Sequence, residues 1–145
     1  MKKVNEMDYH NYHQEHANEL NALPKPYTIE MAINNNDVIV NQSDSFNRKR
    51  FFEFLFNVKK GIADKIRITR YGIDNSELAL KTVLEFNGVY YSFTVADDSV
   101  LPKSYYGNKL IQSRRDPNSP WQYYLRTYGG EEVLVFTLYI FHDKF

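Results

Sequence analysis

Between positions 78 and 97, apolar and polar residues alternate on both sides of Asn87-Gly88, and this alternation is the clearest structural signal in the chain. Asn and Gly tolerate the positive φ values of a two-residue type I′ turn, so the segment predicts a β-hairpin. A turn centred there sets Phe86 against Val89, Leu84 against Tyr91, Thr82 against Phe93 and Leu80 against Val95. The opposite face then pairs Glu85 with Tyr90, Val83 with Ser92 and Lys81 with Thr94. The first face is dry and the second wetter, the pattern of a sheet buried on one side.

The same alternation predicts further strands. Asp64 to Tyr71 places Ile66 and Ile68 inward and Lys65, Arg67 and Thr69 outward. Trp121 to Tyr128 places Trp121, Tyr123 and Leu125 on one face and runs into a Gly129-Gly130 turn. Val38 to Val40 is a short strand and Lys109 to Arg115 a weaker one. Val133 to Phe141 is apolar on both faces, which predicts a central strand.

Helical spacing takes over at two places. Asn47 to Lys60 predicts a helix capped by Asn47, with Phe46 placed to staple against Phe51. Phe51, Phe52, Leu55 and Val58 form its apolar stripe, Phe54 and Phe56 widen it, and Gly61 ends it. Thr28 to Asn34 predicts a short helix capped by Thr28, with Ile29, Ala32 and Ile33 on one face. Residues 1–25 are a polar N-terminal tail or a weak amphipathic helix, closed off by Pro24-Lys25-Pro26. Residues 26–145 then make a single domain. The predicted fold is α+β: an antiparallel sheet of about five or six strands with helices packed on one face.

Composition narrows the function classes. The 145 residues carry 18 basic and 18 acidic side chains, so no net charge draws the chain toward nucleic acid or an anionic membrane. Cysteine is absent, which excludes disulfides, thiol catalysis and thiolate metal sites. The longest apolar run, Val133 to Phe141, is too short to cross a bilayer as a helix, so no transmembrane segment is expected. Met1-Lys2-Lys3 is followed by no apolar stretch of signal-peptide type. As written the chain reads as soluble and cytoplasmic; with a leader removed it would be an extracytoplasmic lipoprotein.

Several of these pieces occur together elsewhere. Asn36-Asp37-Val38-Ile39, the Phe-rich helix ending Val58-Lys59-Lys60-Gly61, Asp64-Lys65-Ile66-Arg67-Ile68-Thr69-Arg70-Tyr71 and the Leu84-to-Gly88 hairpin follow one another in order. In this the segment from Asn34 to Val100 resembles an uncharacterised domain-of-unknown-function family of small Gram-positive bacterial proteins. Many of those look like lipoproteins, so the resemblance implies an envelope location. It carries no site residues with it, because the family has no established activity.

Candidate chemistry is sparse. His10, His13 and His16 recur at three-residue spacing, and a helix would bring neighbouring pairs to one side as candidate metal ligands. Each step drifts by roughly 60° around the axis, so the three do not converge on one ion, and a solvated helix face or tail is the competing reading. Basic residues at Arg48-Lys49-Arg50, Lys59-Lys60, Lys65-Arg67-Arg70 and Arg114-Arg115 read as charged faces, and a nucleic-acid partner is not expected. Asp74, Glu77, Asp97-Asp98 and Glu131-Glu132 read as solvated turns, and no pair is fixed across a cleft as glycosidase chemistry requires. His142 belongs to no nucleophile motif, and the six glycines form no phosphate-cradling loop. No catalytic residue and no cofactor is assigned.

The twelve tyrosines are the better lead. Tyr90, Tyr124 and Tyr128 alternate away from the core-facing positions, and with Lys81 and Arg126 they would form an aromatic binding platform on the outer sheet face. The leading expectation is a binding or interaction module, envelope-associated on the resemblance above, whose partner is a protein or a cell-wall glycan. The alternative is a carboxylate-dependent hydrolase with its site in the 97–107 loop.

Overall fold

A computed structural model of the chain describes residues 6–41, 44–72, 79–97 and 101–139. The elements run α1 (Glu6–Asn21), α2 (Ile29–Asn34), β1 (Val38–Asn41), β2 (Asp44–Phe46), α3 (Arg48–Lys59), β3 (Asp64–Tyr71), β4 (Ala79–Phe86), β5 (Tyr91–Ala96), β6 (Lys103–Gly107), β7 (Lys109–Ser113), β8 (Trp121–Arg126) and β9 (Glu132–Leu138). The fold is α+β. Six strands form one sheet in the order β2-β1-β3-β4-β5-β6, and β7-β8-β9 form a second. Every pairing is antiparallel except β1 with β3, which is parallel.

The hairpin forms, but its turn sits one residue further along than Asn87-Gly88. Phe86 faces Tyr91, Leu84 faces Phe93, Thr82 faces Val95 and Lys81 faces Ala96. Asn87 and Tyr90 close the turn through an amide-to-carbonyl bond of 3.1 Å, and Gly88 alone carries positive φ, at 96°. That is the glycine-first arrangement of a type II′ turn. Asn87 instead offers its Oδ1 to the amides of Val89 and Tyr90, both at 2.9 Å. The register therefore slips by two, which preserves faces; a slip of one would have inverted them.

The dry face is as the alternation predicts. Val38, Val40, Ile66, Ile68, Leu84, Phe86, Tyr91 and Phe93 meet Phe51 and Phe54 of α3 and Tyr123, Leu125, Val135, Phe136 and Leu138 of the second sheet in one core. Phe51 is its hub, 4.2 Å from the Phe136 ring and 4.9 Å from that of Tyr123. Within α3, Phe54 is buried and Phe52 and Phe56 are exposed, so the stripe runs through 51, 54, 55 and 58. Asn47 precedes the helix in a left-handed conformation and makes no side-chain cap; its Nδ2 donates to the Asn36 and Asp37 carbonyls.

The wetter face is covered as well. α1 lies across β4, β5 and β6, and α2 with Tyr27 covers Ile39, Tyr71 and Ala79. Helices thus divide between the two faces of the large sheet. Lys81, Thr69, Ser92 and Thr94, polar residues of that face, are all buried. The apolar run from Val133 forms β9 at the edge of the small sheet, not a central strand. Its buried positions are explained by the shared core on one side and by contacts to β1 and β2 at its end. None of the helices described is long and apolar enough to cross a membrane.

Candidate functional site

β6 is one of the two edge strands of the large sheet, and the turn after β8 folds back toward it. Thr127 shapes that turn: its amide donates to the Glu131 carbonyl at 2.8 Å, and its Oγ1 accepts from the Glu131 amide at 3.1 Å. The Tyr128 amide then donates to the Tyr106 carbonyl of β6 at 3.0 Å. Between strand and turn lies a groove of about 290 Å³, lined by Tyr9, Lys103, Ser104, Tyr105, Tyr106, Thr127, Tyr128, Gly129 and Glu131. Tyr9 of α1 stacks on Tyr106 with ring centroids 4.0 Å apart, and Tyr106 Oη donates to the Tyr9 carbonyl at 2.9 Å. Lys103 Nζ lies 5.2 Å from the Tyr105 ring centre.

Burial, and after it the neighbouring phenols of Tyr128 and Tyr106, holds the Tyr9 phenol above its ordinary pKa. Burial raises Tyr106 and Tyr128 in the same direction. All three therefore stay protonated at neutral pH. The groove presents aromatic faces with neutral hydroxyls, one cation and one anion, which suits a small polar ligand with an apolar face.

Beneath α1 runs a chain of side-chain hydrogen bonds. Glu85 Oε1 lies 2.7 Å from His16 Nε2, His16 Nδ1 lies 3.0 Å from Thr94 Oγ1, Thr94 Oγ1 lies 2.7 Å from Ser104 Oγ, and Ser104 Oγ lies 2.6 Å from His13 Nδ1. Beside it, the buried Tyr90 hydroxyl and Ser92 Oγ have no partner among the described residues.

A second cavity, about 250 Å³, opens between α1 and the start of β1 and is lined by Glu19, Asp37, Arg50, Lys65 and Arg67 among others. Its charges are matched. Asp37 accepts from Tyr27 Oη and Thr69 Oγ1, both at 2.8 Å, and from Arg67 Nε at 2.9 Å. Burial pushes the Asp37 carboxyl above the usual carboxylate range, and these donors restrain the rise. Burial works to lower Arg67, but Asp37, Tyr27 and Glu19 outweigh it and hold the guanidinium pKa above its ordinary value. Glu19 also binds Lys65 at 3.1 Å. This network fastens α1 and the segments flanking α2 to β3 and leaves little charge for a ligand.

The expected platform is not one surface. Tyr90, in the hairpin turn against Tyr9 and Tyr12 of α1, is 3% exposed, and Lys81, in β4 of the large sheet, is 2% exposed. Tyr124 is half-buried in β8, while Tyr128 and Arg126 are exposed at the second sheet's end, Arg126 paired with Glu132 at 2.7 Å. The wetter sheet face is not open because α1 brings its own polar and aromatic side chains to match it. Only Tyr128 of the five lines the groove. Tyr9, Tyr105 and Tyr106 carry no sequence signal beyond the Tyr9, Tyr12, His13, His16 spacing, a helical stripe of aromatic and polar residues.

The three histidines also part company. His10 is exposed, His13 joins Ser104, and His16 is wholly buried between Thr94 and Glu85. The last part of the 97–107 loop is strand β6. Asp97 does not line the groove, whose carboxylate among the described residues is Glu131. Asp74, Glu77, Asp98 and His142 lie outside the described residues. Comparisons of the chain with protein-family profiles, with curated proteins and with solved structures find no match.

Proposed function

We propose that the chain is a small non-enzymatic binding module whose ligand occupies the tyrosine groove between β6 and the β8–β9 turn. The observation that carries this reading is Tyr128: a large aromatic ring, 52% exposed, held by its own backbone against a strand that supplies two further tyrosines. Exposed rings with hydroxyl tips are what binding surfaces use when one side of the partner is apolar and the other hydrated. The groove's size admits one or two sugar rings or a short side chain rather than a folded partner. A cell-wall glycan is the ligand class that fits best, since its pyranose faces are apolar and its edges carry hydroxyls. The resemblance to a family rich in lipoproteins would put such a glycan within reach.

The test is an NMR titration of the full chain with soluble cell-wall oligosaccharides. Shifts confined to Tyr9, Ser104 to Tyr106 and Thr127 to Glu131 are expected, with affinity falling at least tenfold in Tyr128→Ala at unchanged melting temperature. Failure of any oligosaccharide to move those signals at millimolar concentration rejects the reading.

A further inference from the structure

We propose that Glu15, His16 and Glu85 form a binding site for a divalent first-row transition-metal ion, with Zn²⁺ as the probe of choice. One ligand atom from each of the three residues lies within 4.8 Å of the others. The shortest pair, His16 Nε2 to Glu85 Oε1, is 2.7 Å. A tetrahedral Zn²⁺ with bonds of about 2.0–2.2 Å places its ligand atoms roughly 3.3–3.6 Å apart, inside that span. The His16–Glu85 contact opens by a fraction of an ångström as the ion replaces the shared proton. Glu15, on the exposed side of α1, closes in from solvent.

Three features beyond proximity point to an ion. His16 is fully buried, and its Nδ1 is fixed on Thr94 Oγ1, so Nε2 is aimed at the carboxylates; metal-binding imidazoles are oriented in this way through the opposite ring nitrogen. Two carboxylates neutralise a divalent charge held against the buried His16 ring. Ser92 stands directly across the β4–β5 pair from Glu85, and its buried Oγ has no partner among the described residues. An orphaned hydroxyl beside the cluster marks a place for an ion-bound water. The nearest cation across the other strand pair, Lys65, is engaged by Glu19 at 3.1 Å. One imidazole with two carboxylates favours Zn²⁺, Mn²⁺, Fe²⁺ or Co²⁺ over Mg²⁺.

Calorimetry of the full chain with Zn²⁺ is expected to show one ion bound per chain at micromolar or tighter dissociation constant, and Mg²⁺ no heat. Glu15→Gln and Glu85→Gln are each expected to weaken Zn²⁺ binding at least tenfold, and the exposed Glu15 makes its variant safe for folding. His10→Ala is expected to bind as the wild type, as is Tyr128→Ala, which separates this site from the groove. Absence of Zn²⁺ binding overturns the proposal. So does binding that persists in either carboxamide variant, or that is lost with His10.

Discussion

The Tyr9 ring lies flat on that of Tyr106, centroids 4.0 Å apart and planes within 12° of parallel, so the first helix is fastened to β6, an edge strand of the large sheet. Tyr90 meets Tyr9 edge-on at 5.5 Å, and the Tyr106 hydroxyl holds the Tyr9 carbonyl. Tyr9→Ala removes two ring contacts at once. The expected loss is about 2 kcal/mol of unfolding free energy, read by urea denaturation, with the α1 amides exchanging faster than those of β4. An unchanged midpoint would mean that α1 is held without Tyr9, by the His13 and His16 hydrogen bonds, Leu20 and the Glu19 ion pairs.

Asn87 and Gly88 make different contributions to the hairpin. Gly88→Ala puts a side chain at φ 96°, and Asn87→Ala removes the acceptor of two amides. Each is expected to cost about 1–2 kcal/mol, seen as a lower urea midpoint at constant m-value. Were Asn87 itself the left-handed residue, Asn87→Gly would stabilise; the geometry here predicts that it destabilises, because glycine cannot receive the Val89 and Tyr90 protons.

What the sequence makes legible follows from what each position is bound to. Asp64 to Tyr71 reads correctly because Ile66 and Ile68 alternate with polar neighbours against a single core. The hairpin's faces read correctly and its register does not, since a turn on 87–88 and one on 88–89 place the same residues on the same side. Phe52 and Phe54 fall on different sides of the helix, and the apolar spacing alone does not say which side is inward; Tyr91, whose ring centre lies 6.4 Å from that of Phe54, decides for 54. α1 is hard to read because the side it buries is His16, Ala17 and Leu20 with Tyr9 and Tyr12, a stripe whose polar members match Thr94 and Glu85 across the interface. The groove is half legible for the same reason. Tyr128 declares itself as a ring beyond a strand end, but Tyr9 and Tyr106 meet only through tertiary packing, 97 residues apart in sequence.

Gly107 ends β6 where the chain leaves one sheet for the other. A Cβ there would stand 2.0 Å from the Arg126 carbonyl oxygen and 3.0 Å from the Thr127 Cα. Both obstacles are backbone, so no side-chain rotation relieves them. Gly107→Ala is expected to cost about 3 kcal/mol and to disturb the groove, since Tyr106 and Thr127 flank the clash. Thermal melting gives the first, and the NMR shifts of Tyr106 and Tyr128 the second. A melt within a degree of the wild type would show that the two sheets can part at this point without cost.

Arg50 ties α3 to β3 by gripping Asp64 with two nitrogens, at 2.9 and 2.6 Å, while Asn57 Nδ2 and the Lys65 amide donate to the same carboxylate at 3.0 and 2.8 Å. Burial alone would raise the Asp64 pKa, but these donors and the Arg50 charge outweigh it and hold the carboxyl below its ordinary value. A depressed native pKa means that the unfolded chain takes up the proton first. Its stabilising contribution is therefore complete above the ordinary carboxylate pKa of about 3.9 and is lost as pH falls from there through the lower native value. Asp64→Asn, which keeps the shape but gives up the charge-assisted bonds, is expected to cost about 2 kcal/mol at pH 7. The gap between variant and wild type should narrow as urea unfolding is repeated from pH 5 down to pH 2, the wild type losing the advantage that the variant never had. A gap of constant width across that range would place the contribution of Asp64 in its packing rather than in its charge.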